Sequence, residues 1–421
     1  MTILPRSENG LLGTLVTLKD VEAEIQASLK THATFGDNVQ IINISDMKGF
    51  LSKIALIEAN WNGDGSENLP KKIIVKISTL LPLIELTKYM SPDYNEFWTE
   101  DRISRMEENT RILHNREVLI YQILMRENHP LIPYTKIFAS RPFTTTNTEK
   151  AFLVSEYIDN CQHIGMHECI PYQDIIPIVK AAAAFSAFGE KLSADDLQFT
   201  RHGGDFFDLL FAPFLDEKST ERTNNVTKNS FPPEYSEKLE KMFEINKKYY
   251  LNPKMVPKYK ELPDFLSYEK VLVHGDLWGS NLLCKRTDGR FQLKAVIDYQ
   301  TTSLSSPGQD LGRLFISCLS TTDRRDKLDY LMNIYYETFV EELDGRKVPY
   351  SYEQLKDSYN LYFPLMASII IPGIAPMINL NPNEEVKEVN PEVLDKMVGI
   401  LDDVLKYHEI NMEKYPNFYC E

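Results

Sequence analysis

Apolar residues in the first part of the chain fall in short runs with the length and composition typical of strands. Five such runs cover residues 39–44, 53–60, 73–77, 132–139 and 151–156. The turn-rich sequence WNGDGSENLP separates the second run from the third. Together the five runs predict a β-sheet in this part of the chain.

Helical patterns surround these runs. Residues 17–30 place apolar side chains on one helical face, and Thr17 with Asp20 resembles a capping box at its start. We interpret this stripe as core packing. Residues 111–126 predict a second helix, whereas residues 79–110 predict an irregular insertion.

The remainder of the chain favours helices. Residues 172–192 contain a helical pattern rich in Ala and Phe, and residues 291–298 predict one more strand. Residues 215–235 are charged and polar, which predicts an exposed loop. A β-rich first part and a helix-rich second part predict the α+β class, with two lobes that meet near residues 156–160.

Predicted domains follow from this change of pattern. We expect an N-terminal helical extension over residues 1–35, a first lobe over 36–157 and a second lobe over 158–421. A chain of 421 residues is also longer than one compact core usually accommodates. Two lobes are therefore expected on both grounds.

Composition limits the partners and the compartment. Lys and Arg number 46 against 61 Asp and Glu, and the resulting net charge of -15 disfavours nucleic acid as a partner. The five cysteines are odd in number and scattered, and the N-terminus lacks the apolar core of a signal peptide. Both features favour a cytoplasmic protein with reduced thiols.

One apolar segment invites comparison with membrane helices. Residues 358–383 carry no charged side chain, and their length suits a bilayer span. However, Pro364, Pro372 and Pro376 would interrupt backbone hydrogen bonding in lipid. We therefore expect a buried helix and turn of the second lobe, and no membrane span.

The strongest chemical signal is the sequence HGDLWGSN, which runs from His274 to Asn281. It has the form H-x-D-x-x-x-x-N of a kinase catalytic loop, in which the Asp accepts the proton of the substrate hydroxyl and the Asn binds metal. One tight loop can hold both groups in fixed positions beside a phosphoryl group. The pattern predicts Asp276 as the base and Asn281 as a metal ligand.

A second acid follows at a suitable distance. Asp298 ends the apolar run AVID, 17 residues after Asn281. A carboxylate at the end of a strand is a hard oxygen donor of the type that Mg²⁺ prefers. A turn-forming Asp and a chance HGD tripeptide are the plain alternatives, but the order and spacing of both signals favour the functional interpretation.

VLVHGDLWGSNLL followed by AVIDYQ resembles the CHK-kinase-like, or ecdysteroid-kinase-like, family, which is related to choline kinases and aminoglycoside phosphotransferases. The resemblance extends over about residues 36–410 and is sharpest in these two segments. It implies a bilobal protein-kinase-like fold, with ATP and Mg²⁺ bound between the lobes. It also implies phosphorylation of a hydroxyl on a small molecule.

The resemblance assigns an ion pair to the first lobe. Lys76 in IIVKI matches the strand lysine that binds the α- and β-phosphates, and Glu117 in NREVLIYQ matches its helix partner. A Lys inside an apolar strand needs such a partner if it points inward. An edge-strand Lys and an exposed helix acid are the alternatives.

Further nucleotide contacts are implied more weakly. SDMKGFLSKI resembles the family's glycine-containing loop, so Gly49, Phe50 and Ser52 are expected near the β-phosphate, although an ordinary hairpin turn fits as well. Glu156 and Tyr157 fall where the hinge should read the adenine through its backbone.

Two features refine the comparison. Asp310 in PGQDLGR matches a residue that caps a helix and accepts hydrogen bonds from the catalytic-loop backbone. Asp298 is followed by Tyr299 and Gln300 instead of Phe-Gly, and no Ala-Pro-Glu segment follows. These departures favour a small-molecule kinase over a protein kinase.

The segment CQHIGMHEC alternates Cys161, His163, His167 and Cys169. C-x-H places ligands too close for a usual zinc site, and no second pair follows at a common spacing. A loop that follows the hinge is the favoured interpretation.

The resulting hypothesis is an ATP- and Mg²⁺-dependent kinase of a small hydroxylated molecule, sterol-like or choline-like. Asp276 would take the hydroxyl proton, His274 would fix the loop by hydrogen bonding, and Asn281 and Asp298 would hold the metal. The alternative is a pseudokinase or small-molecule binding protein that keeps the fold without turnover. A protein kinase is a third reading.

Overall fold

The chain divides into two units, Met1–Asn128 with Tyr134–Asp159, and His129–Pro133 with Asn160–Glu421. The computed structural model describes residues 7–45, 51–90, 98–200, 207–211, 215–380 and 388–420. The first unit contains a sheet and the second is mainly helical, so the predicted α+β class is confirmed.

Twelve strands occur in the described residues: β1 Thr34–Phe35, β2 Gln40–Asn43, β3 Ser52–Glu58, β4 Trp61–Asn62, β5 Lys72–Ser78, β6 Ile137–Arg141, β7 Phe152–Glu156, β8 Cys161–His163, β9 Val271–Val273, β10 Leu282–Thr287, β11 Arg290–Val296 and β12 Ser303–Ser305. The main sheet of the first unit is antiparallel, in the order β2-β3-β5-β7-β6. The second unit carries the sheets β11-β10-β8 and β12-β9.

Thirteen α-helices occur in the same residues: α1 Leu18–Leu29, α2 Leu81–Met90, α3 Glu100–Glu127, α4 Tyr172–Gly189, α5 Glu217–Ser230, α6 Ser236–Ile245, α7 Val256–Lys260, α8 Leu262–Phe265, α9 Pro307–Cys318, α10 Thr321–Asp326, α11 Leu328–Glu342, α12 Tyr352–Ile374 and α13 Pro391–Lys414. Helix α3 lies in the chain between β5 and β6, which is where a protein-kinase-like fold carries the helix of its conserved glutamate.

Alternation along β5 determines which side chains face the core. Ile73, Val75 and Ile77 are almost fully buried and belong to one apolar cluster. Successive side chains of a strand point to opposite faces, so Lys76 lies on the other face of the sheet. The pattern of this strand thus separates the core from a charged side chain at its centre.

Helix α1 packs on the apolar face. Its residues Val21 and Ile25 are fully buried in the same cluster. The predicted capping box is present, since the backbone N–H of Thr17 donates to Asp20 at 2.8 Å and that of Asp20 donates to Thr17 Oγ1 at 3.2 Å. The prediction of a core-packing helix here is confirmed.

The apolar segment near the C-terminus forms the centre of the second unit. In the part of the chain that the structure describes, Tyr352–Ile378 alone is long and apolar enough to span a membrane, yet 72% of its most apolar window is buried inside the protein. Ser351 caps this helix and accepts from the backbone N–H of Gln354 at 3.2 Å. The segment forms a buried helix and turn, as predicted.

Two local predictions are wrong. Residues 79–110, expected to be irregular, contain α2 and the beginning of α3. Residues 215–235, expected to be a loop, contain α5, which Asp216 caps through its bond from the backbone N–H of Ser219 at 3.0 Å. In α5 the capping residue and the tertiary packing outweigh a polar composition, because helix propensity alone is a weak determinant.

Candidate active site

In the first unit, Lys76 and Glu117 form a close ion pair. Lys76 Nζ lies 2.9 Å from Oε1 and 2.8 Å from Oε2 of Glu117. The side chain of Glu117 is 2% exposed and that of Lys76 is 16% exposed. A carboxylate buried this deeply requires a cation, so β5 and α3 are tied together at this point.

One turn before Glu117, His114 adds a second tie between the same elements. Its Nε2 lies 3.0 Å from the carbonyl oxygen of Arg141, and its Nδ1 lies 2.7 Å from Oγ of Ser78. A carbonyl only accepts, so Nε2 carries the proton and Nδ1 accepts from the hydroxyl. Burial, together with the charge of Lys76, lowers the pKa of His114 to about 4, although the bond to Arg141 opposes the shift.

Asn115 anchors the same turn of α3 from another side. Its Nδ2 donates to the carbonyl of Phe143 at 2.9 Å, and its Oδ1 accepts from the backbone N–H of Phe143 at 2.9 Å. Three residues of about one turn, His114, Asn115 and Glu117, therefore fix the position of α3 in the first unit.

The remaining residues that the sequence assigned to the nucleotide are placed as follows. Gly49 and Phe50 lie outside the described residues. Ser52 is buried at the start of β3, opposite Ser78 of β5. Glu156 ends β7, where its Oε1 accepts from the backbone N–H of Lys136 at 2.7 Å.

Tyr157 follows β7 directly. Its ring lies 5.4 Å from Nζ of Lys72, within the range of a cation–π contact. The side chains of Glu156 and Tyr157 are thus engaged inside the first unit. A hinge role for this segment would use backbone groups.

In the second unit, the loop between β9 and β10 holds the predicted catalytic residues. Gly275 in this loop has a positive φ of 83°, and a Cβ atom there would lie 2.4 Å from the carbonyl oxygen of Thr301. Both the backbone conformation and the close approach require glycine. The loop therefore has its tight course because residue 275 lacks a side chain.

Asp276 and Asn281 face each other across this loop. Asn281 Nδ2 donates to the backbone carbonyl of Asp276 at 2.8 Å and to its Oδ2 at 3.0 Å. Two acceptors identify this atom as the amide nitrogen, and the amide oxygen points the other way. Both residues are buried, Asp276 with 8% exposure.

Strand pairing brings Asp298 to the same end of the hairpin. Leu282 pairs with Val296, and the backbone N–H of Ile297 donates to the carbonyl of Asn281 at 3.0 Å. Asp298 follows in the left-handed region, with φ 68° and ψ 55°. This conformation is uncommon for a residue other than glycine and clusters at functional sites.

His274 connects the loop to this strand end. Its Nε2 lies 3.0 Å from the carbonyl of Ile297, and its Nδ1 accepts from the backbone N–H of Asp276 at 3.3 Å. The carbonyl partner places the proton on Nε2. The ring thus spans the segments that carry Asp276 and Asp298.

Helix α9 contacts the loop through one face. Of these contacts, only those of Asp310 were predicted from the sequence. Three of the contacting residues are spaced four apart, namely Gln309, Arg313 and Ser317, and Asp310 is the fourth. Gln309 Nε2 donates to the carbonyl of Gly275 at 3.2 Å, and Ser317 Oγ accepts from the backbone N–H of Gly279 at 3.3 Å. Residues at this spacing line one side of a helix, so α9 supports the whole loop.

Asp310 makes the predicted contacts with the loop backbone, but the prediction that it caps a helix is wrong, because α9 begins at Pro307 with Ser306 as its N-cap and Asp310 lies inside the first turn. Its carboxylate accepts from the backbone N–H of His274 at 2.7 Å and from that of Gly275 at 2.9 Å. Burial raises the pKa of Asp310, although the neighbouring His274 and both backbone bonds act in the opposite direction. The carboxylate thus serves the backbone of the loop.

Arg313 contacts the predicted base directly. Its Nη2 lies 2.5 Å from Oδ1 of Asp276, and both side chains are nearly inaccessible, with exposures of 8% and 12%. The guanidinium carbon also lies 5.3 Å from the centre of the Trp278 ring. This pair could not be predicted from the sequence, since an Arg in an amphipathic helix is ordinarily solvated.

The Cys/His segment braces the same loop from the opposite side. His163 in β8 has its Nδ1 2.6 Å from the carbonyl of Ser280, and the backbone N–H of Ile164 donates to the carbonyl of Gly279 at 3.1 Å. Lys396, 1% exposed, donates to the carbonyls of Met166, Glu168 and Ser317 at 2.7–2.9 Å. Burial lowers the pKa of this lysine.

The donor set at the end of the hairpin suits Mg²⁺. Within the described ranges, no group of three or more His, Cys, Asp or Glu residues could hold a metal ion by itself. Mg²⁺ commonly takes one or two protein oxygens and completes its shell with phosphate and water. The amide oxygen of Asn281 and the carboxylate of Asp298 meet this requirement.

Comparison with known protein families gives a match over most of the chain. The model of the family described as "Uncharacterized oxidoreductase dhs-27" (DUF1679) matches residues 4–412. "Uncharacterized kinase-like protein D1044.1" of Caenorhabditis elegans is 28% identical over 143 residues, which cover 32% of this chain and 37% of that protein. The match thus spans little more than a third of this curated relative.

Three solved structures are similar at low identity. A microcompartment-associated aminopropanol kinase is 12% identical, with 93% of this chain and 98% of that chain covered and a TM-score of 0.42. Choline kinase from Cryptosporidium parvum is 11% identical, with coverages of 89% and 90% and a TM-score of 0.42. Plasmodium vivax ethanolamine kinase is 13% identical, with coverages of 87% and 82% and a TM-score of 0.40.

Proposed function

We propose that this chain, which belongs to the DUF1679 family described as "Uncharacterized oxidoreductase dhs-27", is an ATP- and Mg²⁺-dependent phosphotransferase acting on a hydroxyl of a small molecule. The observation that supports this most directly is the hydrogen-bonded pair of Asp276 and Asn281, with Asp298 at the same end of the hairpin. A base and two metal-binding oxygens are the groups that phosphoryl transfer requires.

Asp276 would orient the acceptor hydroxyl and receive its proton. As the acceptor oxygen forms its bond to phosphorus, the bond from phosphorus to the leaving nucleoside diphosphate breaks, and the proton passes to the carboxylate. Asn281 holds one oxygen of this carboxylate at 3.0 Å, which fixes its rotamer. Positioning of this kind supplies most of the rate in phosphoryl transfer.

Asn281 and Asp298 would hold the metal, and bound Mg²⁺ would neutralise charge on the phosphate oxygens. Lys76, oriented by Glu117, would bind the α- and β-phosphates from the first unit. The bidentate contact at 2.8–2.9 Å keeps the ammonium in one place. Each unit would thus supply its own set of prearranged groups.

His274 and Asp310 would act as positioning residues. Both bind the backbone of the loop, and neither is assigned to a reacting atom. Their contacts hold Asp276 at a constant distance from the strand that leads to Asp298. This support role agrees with the hydrogen-bonding function expected for His274.

The description of the family names an oxidoreductase, and the fold tests whether the chain could bind a dinucleotide as many oxidoreductases do. Doubly wound dinucleotide-binding folds are built on parallel strands. Throughout the part of the chain that the structure describes, every strand pair is antiparallel. The kinase proposal fits this architecture, whereas a fold of that dinucleotide-binding type does not.

A binding protein without turnover is the second candidate, and one observation favours it. Arg313 forms an ion pair with the predicted base, with Nη2 2.5 Å from Oδ1 of Asp276. If the pair never opens towards an acceptor, nucleotide would bind without transfer. The two candidates differ only in turnover, so a transfer assay separates them.

The deciding experiment combines transfer and binding. The purified chain is incubated with Mg²⁺ and γ-labelled ATP, together with a panel of neutral, anionic and cationic alcohols, and labelled products are separated. We expect label on at least one alcohol, and no label without Mg²⁺. Mg²⁺·ATP binding with no labelled product would favour the binding protein, and absence of binding would refute both. A cytoplasmic location and a lack of nucleic-acid partners stay predictions from the sequence.

A further inference from the structure

We infer that the acceptor is uncharged or anionic close to its reacting hydroxyl, and that Arg313 excludes cationic amino alcohols of the choline type. The inference rests on the proposed function and concerns the same site. It begins from the charge that surrounds Asp276, because an acceptor hydroxyl must approach this carboxylate within hydrogen-bond reach.

Both oxygens of Asp276 have a polar neighbour, although the contact of Oδ1 is an ion pair without hydrogen-bond geometry. Oδ2 accepts from Asn281 at 3.0 Å, and Oδ1 lies 2.5 Å from Nη2 of Arg313. The carboxylate and the guanidinium together carry no net charge. An unpaired Asp would attract a cationic acceptor. Here the charge of Asp276 is neutralised, and the guanidinium that neutralises it lies beside the point where the hydroxyl must bind.

Among the residues that the structure describes, the acids on the loop backbone and at the end of the hairpin, Asp310 and Asp298, have other roles. Asp310 is 5% exposed and accepts from the backbone N–H groups of His274 and Gly275. Asp298 is assigned to the metal in the proposed function. An ammonium group that entered with the acceptor would therefore meet a cation, without an acid assigned to compensate it.

Aromatic faces could replace an acid, since quaternary ammonium ligands bind to aromatic rings. Trp278 is the aromatic residue of the loop, and the guanidinium of Arg313 already lies 5.3 Å from its ring centre. Tyr299 is 1% exposed and packs on His274 at a ring distance of 4.8 Å. The ring of Tyr299 is therefore inaccessible, and Arg313 places a like charge beside the ring of Trp278, where an ammonium group would otherwise bind.

The short distance between the hydroxyl and the cationic nitrogen of these acceptors makes repulsion by Arg313 effective. In choline and ethanolamine only two carbon atoms separate the hydroxyl from the cationic nitrogen. A hydroxyl bound to Asp276 thus carries this nitrogen close to Arg313, and salt screens exposed charges effectively only beyond about 8 Å. Arg313 is buried, with 8% side-chain exposure, so screening is weaker still.

The test uses pairs of acceptors that differ in charge alone. Choline and 3,3-dimethylbutan-1-ol have the same shape, because a carbon replaces the quaternary nitrogen, and ethanolamine is paired with propan-1-ol. Phosphorylation of each is followed with Mg²⁺·ATP and expressed as kcat/KM. Where only a larger alcohol is phosphorylated, the same compounds are compared as competitive inhibitors of that reaction.

We expect the wild-type chain to prefer the neutral member of each pair by about tenfold or more, equivalent to 1.4 kcal/mol. Arg313→Gln should bring the ratio towards unity, whereas Arg313→Lys should keep the preference. Arg346→Gln is the matched control, since Arg346 is exposed and lies in the segment after α11. It should leave the ratio unchanged.

Equal or greater use of choline by the wild-type chain would overturn the inference while leaving the proposed function intact. So would an unchanged ratio in a folded Arg313→Gln variant. If that variant does not fold, the wild-type ratio decides alone. If no alcohol of any charge is phosphorylated, the proposed function itself fails.

Discussion

Lys76 Nζ lies between the two carboxylate oxygens of Glu117, 2.9 Å from one and 2.8 Å from the other. The carboxylate is 2% exposed, so its ionised form depends on this lysine. Removal of one partner and removal of both should therefore have different effects.

Lys76→Met should lower the free energy of unfolding by about 3–5 kcal/mol, because a buried carboxylate loses the lysine of its ion pair. Adding Glu117→Leu should recover most of this loss, and denaturant unfolding measures both. Lys53→Met is the matched control on the same sheet. Its partner Glu85 is 41% exposed, so we expect a change of about 1 kcal/mol or less. Equal losses in the single variants of both pairs would contradict the assignment of a buried pair.

Asp276→Asn should remove turnover and keep nucleotide binding. Loss of a general base lowers kcat by about 10²–10⁴-fold. The neutral amide keeps the shape of the side chain, so calorimetric affinity for Mg²⁺·ATP should stay close to wild type. Asp264→Asn, at a side chain that is 74% exposed, is the control. A variant at 276 with wild-type kcat would exclude the carboxylate as base.

Asp298→Asn should weaken the binding of Mg²⁺·nucleotide by roughly tenfold or more, a change of about 1.4 kcal/mol. Asn is chosen because the backbone at 298 has φ 68°, which Asn tolerates. Asp288→Asn is the control, at a position with φ 52° in the turn between β10 and β11. Calorimetry with and without Mg²⁺ makes the comparison. Equal affinities in the two variants would remove Asp298 from the metal site.

His114 should make the protein less stable in acid. Its pKa is about 4 in the folded chain and 6.5 as a free side chain, so below pH 6.5 the unfolded state binds a proton that the folded state does not. Stability from this residue is complete above pH 6.5 and falls as pH drops, by about 3 kcal/mol at pH 4.

Chemical denaturation between pH 7 and 4, compared with His114→Gln, measures this contribution. The variant keeps a donor but cannot titrate, so its stability should fall less steeply over the same range. His32→Gln serves as the control because His32 is exposed in the loop after α1. Parallel curves for wild type and His114→Gln would contradict the prediction.

Sequence patterns predicted the fold well where a short period fixes the side-chain directions. The apolar run 73–77 predicted a strand that contains Lys76, and the structure places Ile73, Val75 and Ile77 on one face and Lys76 on the other. The H-x-D-x-x-x-x-N spacing likewise located a tight loop. Such features are local, and their geometry follows from a few consecutive residues.

Contacts between distant segments could not be predicted in this way. Arg313 and Asp276 are far apart in the chain, and their pairing depends on how α9 packs against the loop. The four-residue spacing of Gln309, Arg313 and Ser317 was visible, but a polar face on a helix usually indicates solvent. The helix α5 was missed for a similar reason, since its polar composition concealed a capping residue at Asp216.

The anchoring of α3 through His114 and Asn115 bears on regulation. In enzymes where the equivalent helix swings, a modification elsewhere can switch activity on by bringing lysine and glutamate together. Here, hydrogen bonds on either side hold the helix against its strands, and the ion pair is assembled without any signal. Control of such an enzyme would pass to how much of it the cell makes and how much acceptor reaches it.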